Sequence, residues 1–465
     1  MARVTFGVEL EAMYFYTDNP QHLGFPDDKD KGLAPIIDMS SAAMQYRDLE
    51  DQEDYPLDEH MQTEMIKHVE RTILNFVAKL PETSRGEVVY FEDEKSQGDY
   101  QTWMVVIDDS IMPESSYKPL SWAPLEVVSP AMYVSEGAFR EVQAVVNMIR
   151  DTFRTAVPPS CGLHVHVGMG AQLFPVETLK RLGALCWAAD LLLGQMHPLA
   201  RQRNDFCLGV RYWSVLADIM KDSSDKTSKL HEDVNPNEGD THNKHEMVHV
   251  QPRRLATEFN RTFARDMHAT EICEELEAGN NIFFSTNFDT PPTLEVGILE
   301  GVRRISVCKD WDSVANLLSI CGRGAYNFRN YSDFARYHEE CTKNTVEFRQ
   351  AAGSLDGLWV ATYARIVAGI AQFARTADSD TFSRLVHDCH DGETNNIGYD
   401  ILDLLIDLGL TEEAKIVQCR LETRSHVAEM LRNFSANTTL LPAYHYQAHG
   451  YPPEPEVLHG RGEDE

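Results

Sequence analysis

Four short segments of the chain alternate between apolar and polar residues, as strands with two different faces do. In Val4–Glu11 every second residue is apolar, and the other positions include Glu9 and Glu11. Side chains alternate across a strand with a period of two, so both glutamates are expected on one face. The same argument pairs His164 with His166 in Leu163–Gly168 and Glu347 with Arg349 in Thr345–Gln350, and it leaves Glu126 on the polar face of Pro124–Val128.

Other segments repeat apolar residues every three or four positions, which predicts amphipathic helices. A break at Gly409, followed by a cap at Thr411, divides the last of them into a helical pair. Together with the strands, these segments predict an α+β fold with helices packed on a sheet. The predicted helical segments are Met61–Leu80, Phe139–Phe153, Glu177–Gln195, Leu355–Ala374 and 399–433.

The amino-acid composition is ordinary except for its large negative net charge. The 465 residues are 43% hydrophobic and 25% charged, which is usual for a globular protein. Lys and Arg number 42 against 73 Asp and Glu, so the formal net charge is −31. Such an acidic surface repels phosphate backbones and anionic lipids, so neither a nucleic acid nor a membrane is expected as a partner.

The sequence also bears on the compartment. The N-terminus has no signal-peptide pattern, and no apolar run approaches the about 20 residues that a membrane span needs. The nine cysteines include no pair with CxxC spacing, which favours reduced thiols. A cytoplasmic location is therefore expected.

The polar positions of the four strands favour a metal site over a plain solvated face. They hold four glutamates, two histidines and one arginine, whereas solvated faces favour Lys, Thr, Ser and mixed charge. Two carboxylates about 4 Å apart repel each other by about 4 kcal/mol at an effective dielectric of about 20, so one sheet carrying all four needs cations. Carboxylate oxygens select Mg²⁺ or Mn²⁺. Because same-face residues lie about 6.6 Å apart, Glu9 and Glu11 are placed to hold neighbouring ions.

Two other interpretations of these residues stay open. Two imidazoles on one strand are also typical of zinc hydrolases, and His197, His245 or His249 is available as a third ligand. Alternatively, the fold serves as a binding module without catalysis. Cys161 precedes Gly162 at a strand entrance, where a buried thiol is expected more than a nucleophile.

Five motifs stand in the order found in the amidoligase family, which the chain resembles over about residues 3–375. The motifs are FGVELE, the W-x-V-x-x-D-D-S segment Trp103–Ser110, LEVVSP, CGLHVHVG and NTVEFRQAAGSLDG. The family is a branch of the carboxylate–amine ligases that resemble glutamine synthetase and glutamate–cysteine ligase. The resemblance implies a curved, mostly antiparallel sheet with a polar concave face that forms the active site, and with helices on the apolar face.

The resemblance also suggests a domain organisation. A catalytic domain is expected over 1–375, with insertions near 18–58 and 221–249. A helical extension follows over 376–434. The tail at 435–465 is too poor in apolar residues to form a core and is expected to be mobile.

The resemblance implies a role for each polar residue of the strands. Glu9, Glu11, Glu126, His164 and Glu347 resemble metal ligands, His166 resembles a residue that reaches the nucleotide phosphates, and Arg349 resembles the arginine facing the transferred phosphoryl group. HPLARQRNDFC resembles the family's Arg-x-x-Asn segment, so Arg201 and Asn204 are expected to hold a phosphate or a substrate carboxylate. Asp109 is expected either to bind the incoming amine or, with Asp108, to cap a turn.

The activity implied is an ATP- and Mg²⁺- (or Mn²⁺-) dependent ligase that joins a small-molecule or peptide carboxylate to an amine through an acyl phosphate. A phosphotransferase on the same fold is the alternative nearest to it. For Arg349 the alternative is a salt bridge to Glu347 or Asp109.

Overall fold

The computed structural model describes residues 3–19, 21, 34–47, 57–90, 100–113, 120–198, 201, 207–212, 214–217, 296–319, 324–338, 343–395 and 398–433. Side chains are described up to 422, except at 47 and 338. The insertion predicted at 221–249 and the tail at 435–465 lie outside these residues. Most of the loop predicted at 18–58 does so as well.

The described residues contain a nine-stranded sheet with the order β3-β4-β1-β7-β9-β8, and β2, β5 and β6 also pair with β1. The pairs of β1 with β4, β5 and β6, of β3 with β4 and of β8 with β9 are antiparallel, and β2 runs parallel to β1. All four predicted strands are present. The strands are β1 (Thr5–Thr17), β2 (Ile37–Asp38), β3 (Met104–Ile107), β4 (Ser121–Val128), β5 (Met132–Tyr133), β6 (Thr155–Ala156), β7 (Gly162–Gly168), β8 (Tyr326–Asn327) and β9 (Thr345–Ala352).

The helices confirm the predicted α+β class. Gly409 has φ +82°, a conformation that suits glycine and ends the preceding helix, as the sequence predicted. No helix within the described ranges is long and apolar enough to cross a membrane. The helices are α1 (Ser40–Arg47), α2 (Leu57–Val77), α3 (Glu136–Thr152), α4 (Val176–Ala188), α5 (Asp190–Gly194), α6 (Ile298–Ser306), α7 (Trp311–Leu318), α8 (Asp333–His338), α9 (Gly357–Thr376), α10 (Ser379–Thr394), α11 (Ile401–Asp407) and α12 (Thr411–Asn433).

The chain divides into two compact units, and the division falls inside β7, β9, α9 and α12. The prediction of one catalytic domain over 1–375 with a helical extension is not tested by this division and stays a prediction. Unit A comprises Thr5–Val165, Ala351–Arg365 and Cys419–Glu465, and unit B comprises Met1–Val4, His166–Gln350 and Ile366–Gln418.

In unit A, the apolar face of β1 packs against the helices. The Phe6 and Phe139 rings stack with centroids 4.8 Å apart, and Tyr14 meets Phe153 edge-on at 5.8 Å. Ser135 caps α3 by accepting a hydrogen bond from the backbone N–H of Ala138 at 3.2 Å. Because the even-numbered residues of β1 fill this core, the odd-numbered glutamates are directed to the opposite face.

In unit B, helices approach one another so closely that two glycines are required. A Cβ at Gly301 would lie 2.0 Å from Trp187 Nε1, and one at Gly183 would lie 2.5 Å from Leu318 Cδ1. Helix α10 joins this core through Arg181, whose guanidinium lies 4.4 Å from the centroid of the Phe382 ring. The first helix beyond residue 375 is therefore packed into the unit that carries most of β9.

Candidate active site

Unit A gathers a group of acids around one imidazole, which we call the carboxylate cluster (Glu9, Glu11, Glu126 and His164). His164 Nδ1 lies 3.3 Å from Glu9 Oε2, and His164 Nε2 lies 3.3 Å from Glu11 Oε1. The His164 side chain is only 4% exposed and those of the two glutamates are 9% and 4% exposed. Each ring nitrogen therefore faces one carboxylate of β1, and the ring bridges the two.

The remaining members of the cluster add negative charge. Glu11 accepts a hydrogen bond from the backbone N–H of Gly162 at 2.6 Å, which fixes its carboxylate at the start of β7. Glu126 is paired directly with Glu11 in the antiparallel register of β4 and β1, so the two side chains share a face. Three carboxylates outweigh one imidazole even when the ring is charged. An oxygen-rich, buried and negative donor set of this kind fits Mg²⁺ or Mn²⁺.

Unit B holds a second group around Glu347, which we call the Arg349 cluster (His166, Asn327, Thr345, Glu347 and Arg349). The buried Glu347 carboxylate forms an ion pair with Arg349 through Oε1 and accepts a hydrogen bond from Asn327 Nδ2 at 2.9 Å through Oε2. His166 Nε2 lies 3.9 Å from Glu347 Oε1, and His166 Nδ1 lies 3.0 Å from Thr345 Oγ1. The salt bridge considered as an alternative for Arg349 is thus present.

Arg201 contacts the backbone of the Arg349 cluster. Its side chain is buried, and Nη2 donates to the carbonyl oxygen of Arg349 at 2.9 Å. Cys207 Sγ in turn lies 2.5 Å from the Arg201 carbonyl oxygen. The observed contact is a hydrogen bond that links Arg201 to the backbone of β9. The expected role of Arg201 in binding a phosphate or a substrate carboxylate stays a prediction. Asn204, its expected companion, lies outside the described residues.

The two aspartates after β3 have different surroundings. Asp108 Oδ1 accepts a hydrogen bond from the backbone N–H of Ser110 at 2.8 Å, and its own backbone N–H donates to Pro124 at 3.0 Å. Asp108 therefore caps the turn. Asp109 is exposed, and its expected role as an amine-binding carboxylate stays a prediction.

Three polar residues of these surroundings were missed by the sequence-based prediction. Thr345 shares the alternation of Glu347 and Arg349, and that period could have found it. Asn327 lies on a strand of two residues, which is too short to show any period. Asp190 lies in an apolar helical segment and is buried in unit B.

Asp190 is also the acid with the most strongly altered ionisation in this region. Burial raises the pKa of Asp190 from the ordinary aspartate value of 3.8 to about 6. The backbone N–H of Arg211, the positive charge of Arg211 and the nearby Tyr326 hydroxyl lower this pKa. The negative charge of Glu393 raises it further.

The hydrolase alternative needs a third His or an acid to complete the metal site. His197 is buried in unit B, and His245 and His249 lie outside the described residues. Cys161 is fully buried at the entrance of β7, as expected of a structural thiol rather than a nucleophile.

A family model described as an amidoligase enzyme matches residues 2–271, which is more than half of the 465 residues. The match includes the carboxylate cluster, His166 and Arg201, and it ends before Glu347 and Arg349. The resemblance found in the sequence is therefore confirmed for this part of the chain, and the family roles of the two β9 residues stay predictions. The chain matches no curated protein and no solved structure.

Proposed function

Because the chain belongs to the amidoligase family, we propose that it is an ATP-dependent ligase that joins a carboxylate to an amine on a curved, glutamine-synthetase-like sheet. The observation that supports the proposal most is that the strands carry two groups of polar side chains with different chemistry. One group is rich in buried carboxylates, and the other combines a carboxylate with a guanidinium and an imidazole.

The carboxylate cluster is proposed to hold the divalent ions, Mg²⁺ or Mn²⁺. Glu9, Glu11, Glu126 and His164 are its ligands in this proposal, and Glu347 is proposed as a metal ligand within the Arg349 cluster. Bound Mg²⁺ would supply neutralisation of the charge on the ATP phosphates. The fit rests on the donor set, since neighbouring carboxylates repel one another and are stabilised by a cation.

The first chemical step is phosphoryl transfer to the substrate carboxylate. A carboxylate oxygen attacks the γ-phosphorus of ATP, the bond to the β-phosphate oxygen breaks, and an acyl phosphate and ADP result. Arg349 is proposed to face the phosphoryl group. Its five N–H donors allow it to keep Glu347 and still bind two phosphoryl oxygens, and its side chain is 18% exposed.

His166 and Arg201 are proposed to hold the nucleotide phosphates beside it. The contact of His166 with Thr345 fixes the ring orientation and leaves the second ring nitrogen on the Glu347 side. A ring held in this way is oriented before the nucleotide arrives, which lowers the entropy lost on binding.

The second step is amide formation. The substrate ammonium first loses a proton to solvent. The resulting amine attacks the carbonyl carbon of the acyl phosphate, the carbon–oxygen bond to the phosphate breaks, and the proton that the nitrogen then releases leaves with inorganic phosphate. Asp109 is proposed to bind the ammonium form of this substrate, because it is an exposed carboxylate at the end of β3. Asn204 is proposed to hold the acid substrate.

A cytoplasmic location is part of the proposal. The described cysteines, Cys161, Cys186, Cys207, Cys308, Cys389 and Cys419, are all free thiols. Free thiols support a reducing compartment.

The test is a screen of amino acids and short peptides in pairs for release of ADP and phosphate with Mg²⁺ and ATP. A ligase releases both products only when acid and amine are present together, and hydroxylamine converts its acyl phosphate to a hydroxamate. Release of ADP without phosphate would indicate a phosphotransferase, and substrate cleavage without ATP would indicate a hydrolase. Glu347→Gln is the matched inactive control.

A further inference from the structure

A buried hydrogen-bonded network lies on the side of β9 opposite Arg349. Gln350 follows Arg349 on the strand, so its side chain is directed to the other face. Gln350 Nε2 donates to Asp190 Oδ1 at 3.2 Å, and Asp190 Oδ2 accepts from the backbone N–H of Arg211 at 3.2 Å. One buried carboxylate therefore joins β9 to the segment 207–212.

The side chain of Arg211 connects this network to the helices beyond residue 375. Its side chain has no exposed area, and Nη1 and Nη2 bind the two carboxylate oxygens of Glu393 on α10 at 3.0 and 3.1 Å. Nη2 also donates to the carbonyl oxygen of Val296 at 3.2 Å, and the guanidinium lies 5.1 Å from the centroid of the Trp187 ring. A planar fork is needed for this arrangement, and a lysine ammonium does not supply one.

Arg201 and Leu208 contribute further hydrogen bonds at the backbone of β9 and of the strand beside it. Arg201 Nη2 donates to the Arg349 carbonyl oxygen at 2.9 Å, and the Arg349 N–H donates to the carbonyl oxygen of Ala325 at 2.8 Å. The Ala325 N–H donates in turn to Leu208 at 2.7 Å. Arg201, Leu208 and Arg211 therefore contact β9, through its main chain, through Ala325 and through Asp190 with the Gln350 side chain.

We propose that Arg211 and Glu393 form a positioning pair for the active site. Glu393 fixes Arg211, Arg211 fixes Asp190 and the segment around it, and these hold β9 where its polar residues meet the reactants. The inference rests on the proposed function, in which β9 carries residues that act on the phosphoryl group. In this proposal α10 helps to position β9, although α10 lies outside the residues matched by the family model.

Two conservative variants of the full-length chain test the pair. Arg211→Lys keeps the charge and removes the fork, and Glu393→Gln keeps the shape and removes the charge. We expect faster hydrogen–deuterium exchange in peptides that cover β9 and a fall in kcat per folded molecule of about 10- to 100-fold, because small displacements of reacting groups have effects of that size. The double variant should lose no more than the worse single variant, since both changes break one contact.

Arg420→Lys is the matched control. Arg420 lies 4.2 Å from the centroid of the Trp359 ring and pairs with Asp356 at 3.3 Å, so it has the same kinds of partner in unit A. It should lower the melting temperature while leaving β9 exchange and kcat unchanged.

The inference is overturned if Arg211→Lys and Glu393→Gln leave β9 exchange and kcat at wild-type values, or if Arg420→Lys changes both equally. If Arg211→Lys fails to fold, Glu393→Gln still tests the positioning pair. The Glu393 side chain is 26% exposed and glutamine has the same shape as glutamate, so this variant is expected to fold. Absence of ADP release by the wild-type chain with every substrate pair would refute the proposed function. Exchange at β9 would still test the positioning pair, because it needs no substrate.

Discussion

The carboxylate cluster of unit A and the Arg349 cluster of unit B have opposite charge balances. In the first, His164 contacts both glutamates of β1, and Glu126 adds a third carboxylate in register with Glu11. In the second, Glu347 has the Arg349 guanidinium and the Asn327 amide. Carboxylates outnumber basic side chains among the members of the first group, whereas the single carboxylate of the second faces a guanidinium.

This difference indicates a division of tasks. A group of buried carboxylates gains stability from an added cation, which suits it to a divalent ion. Glu347 already pairs with a guanidinium, so a cation stabilises it less than it stabilises the carboxylate cluster, and Arg349 brings positive charge towards an incoming anion. Substitutions in each cluster and titration with metal ions test whether the two clusters have these different tasks.

The largest effect is expected from Glu347→Gln. The amide keeps the volume and an oxygen for the Asn327 hydrogen bond, but it removes the charge that pairs with Arg349. We expect ligase turnover to fall about a thousandfold or more, with the fold retained. Turnover is measured as ADP release, and the fold is checked by circular dichroism and melting temperature.

The control for this variant is Glu300→Gln, a change at an exposed glutamate on α6 that pairs with Arg303 and Arg304. It should leave turnover unchanged. Turnover near the wild-type value in Glu347→Gln would remove the residue from the proposed active site.

Arg349→Lys is expected to have the next largest effect. If the guanidinium meets the phosphoryl group mainly in the transition state, kcat should fall about a hundred- to a thousandfold, which corresponds to about 2.7–4 kcal/mol, while ATP affinity changes much less. A salt bridge of purely structural value predicts a lower melting temperature with kcat per folded molecule retained. Arg303→Lys, in a surface pair with Glu300, is the control and should alter neither quantity.

The features predicted correctly from the sequence are those that a strand imposes locally. A period of two is enough to place Glu9 with Glu11, His164 with His166, and Glu347 with Arg349. The prediction for the first strand stopped at Glu11, but β1 continues to Thr17. The last part of β1 is buried on both faces, so its apolar run shows no alternation.

The contacts between distant segments could not be predicted in this way. Asn327 binds Glu347 from a strand of two residues, and Arg201 binds a backbone carbonyl 148 residues further along the chain. Asp190 was hidden in a helical stripe whose other residues are apolar. Such pairings depend on how elements pack, and side-chain periodicity carries no information about them.

Metal binding separates the two clusters directly. Mg²⁺ or Mn²⁺ should stabilise the chain by about 2.7 kcal/mol at a concentration a hundred times the Kd, measured as a rise in melting temperature. Glu9→Gln should weaken this stabilisation more than Arg349→Lys does, because only the first variant removes a carboxylate from the carboxylate cluster. No response to millimolar Mg²⁺ with ATP would contradict the metal site. A preference for Zn²⁺ at equal free concentration would favour the hydrolase.

The smallest effect concerns a buried acid behind β9. Because burial raises the pKa of Asp190 to about 6, the native state favours the neutral carboxyl group. The stabilisation that this group contributes is complete below its unfolded pKa of about 3.9, and it is lost as the pH rises through about 6. Stability therefore falls with increasing pH over this window as far as Asp190 is concerned.

Asp190→Asn should remove that pH dependence. Relative to the variant, the wild-type chain is expected to lose about 2 kcal/mol of unfolding free energy between pH 4 and pH 6, measured by denaturant titration at each pH. The comparison across pH cancels the constant cost of replacing a hydrogen-bond acceptor. Asp378→Asn is the control of opposite sign, because hydrogen bonds from Thr381 lower the pKa of Asp378, so its contribution is lost as the pH falls. Equal pH profiles for the wild type and Asp190→Asn would show that Asp190 is ionised in the native state and that the Arg211 charge outweighs its burial.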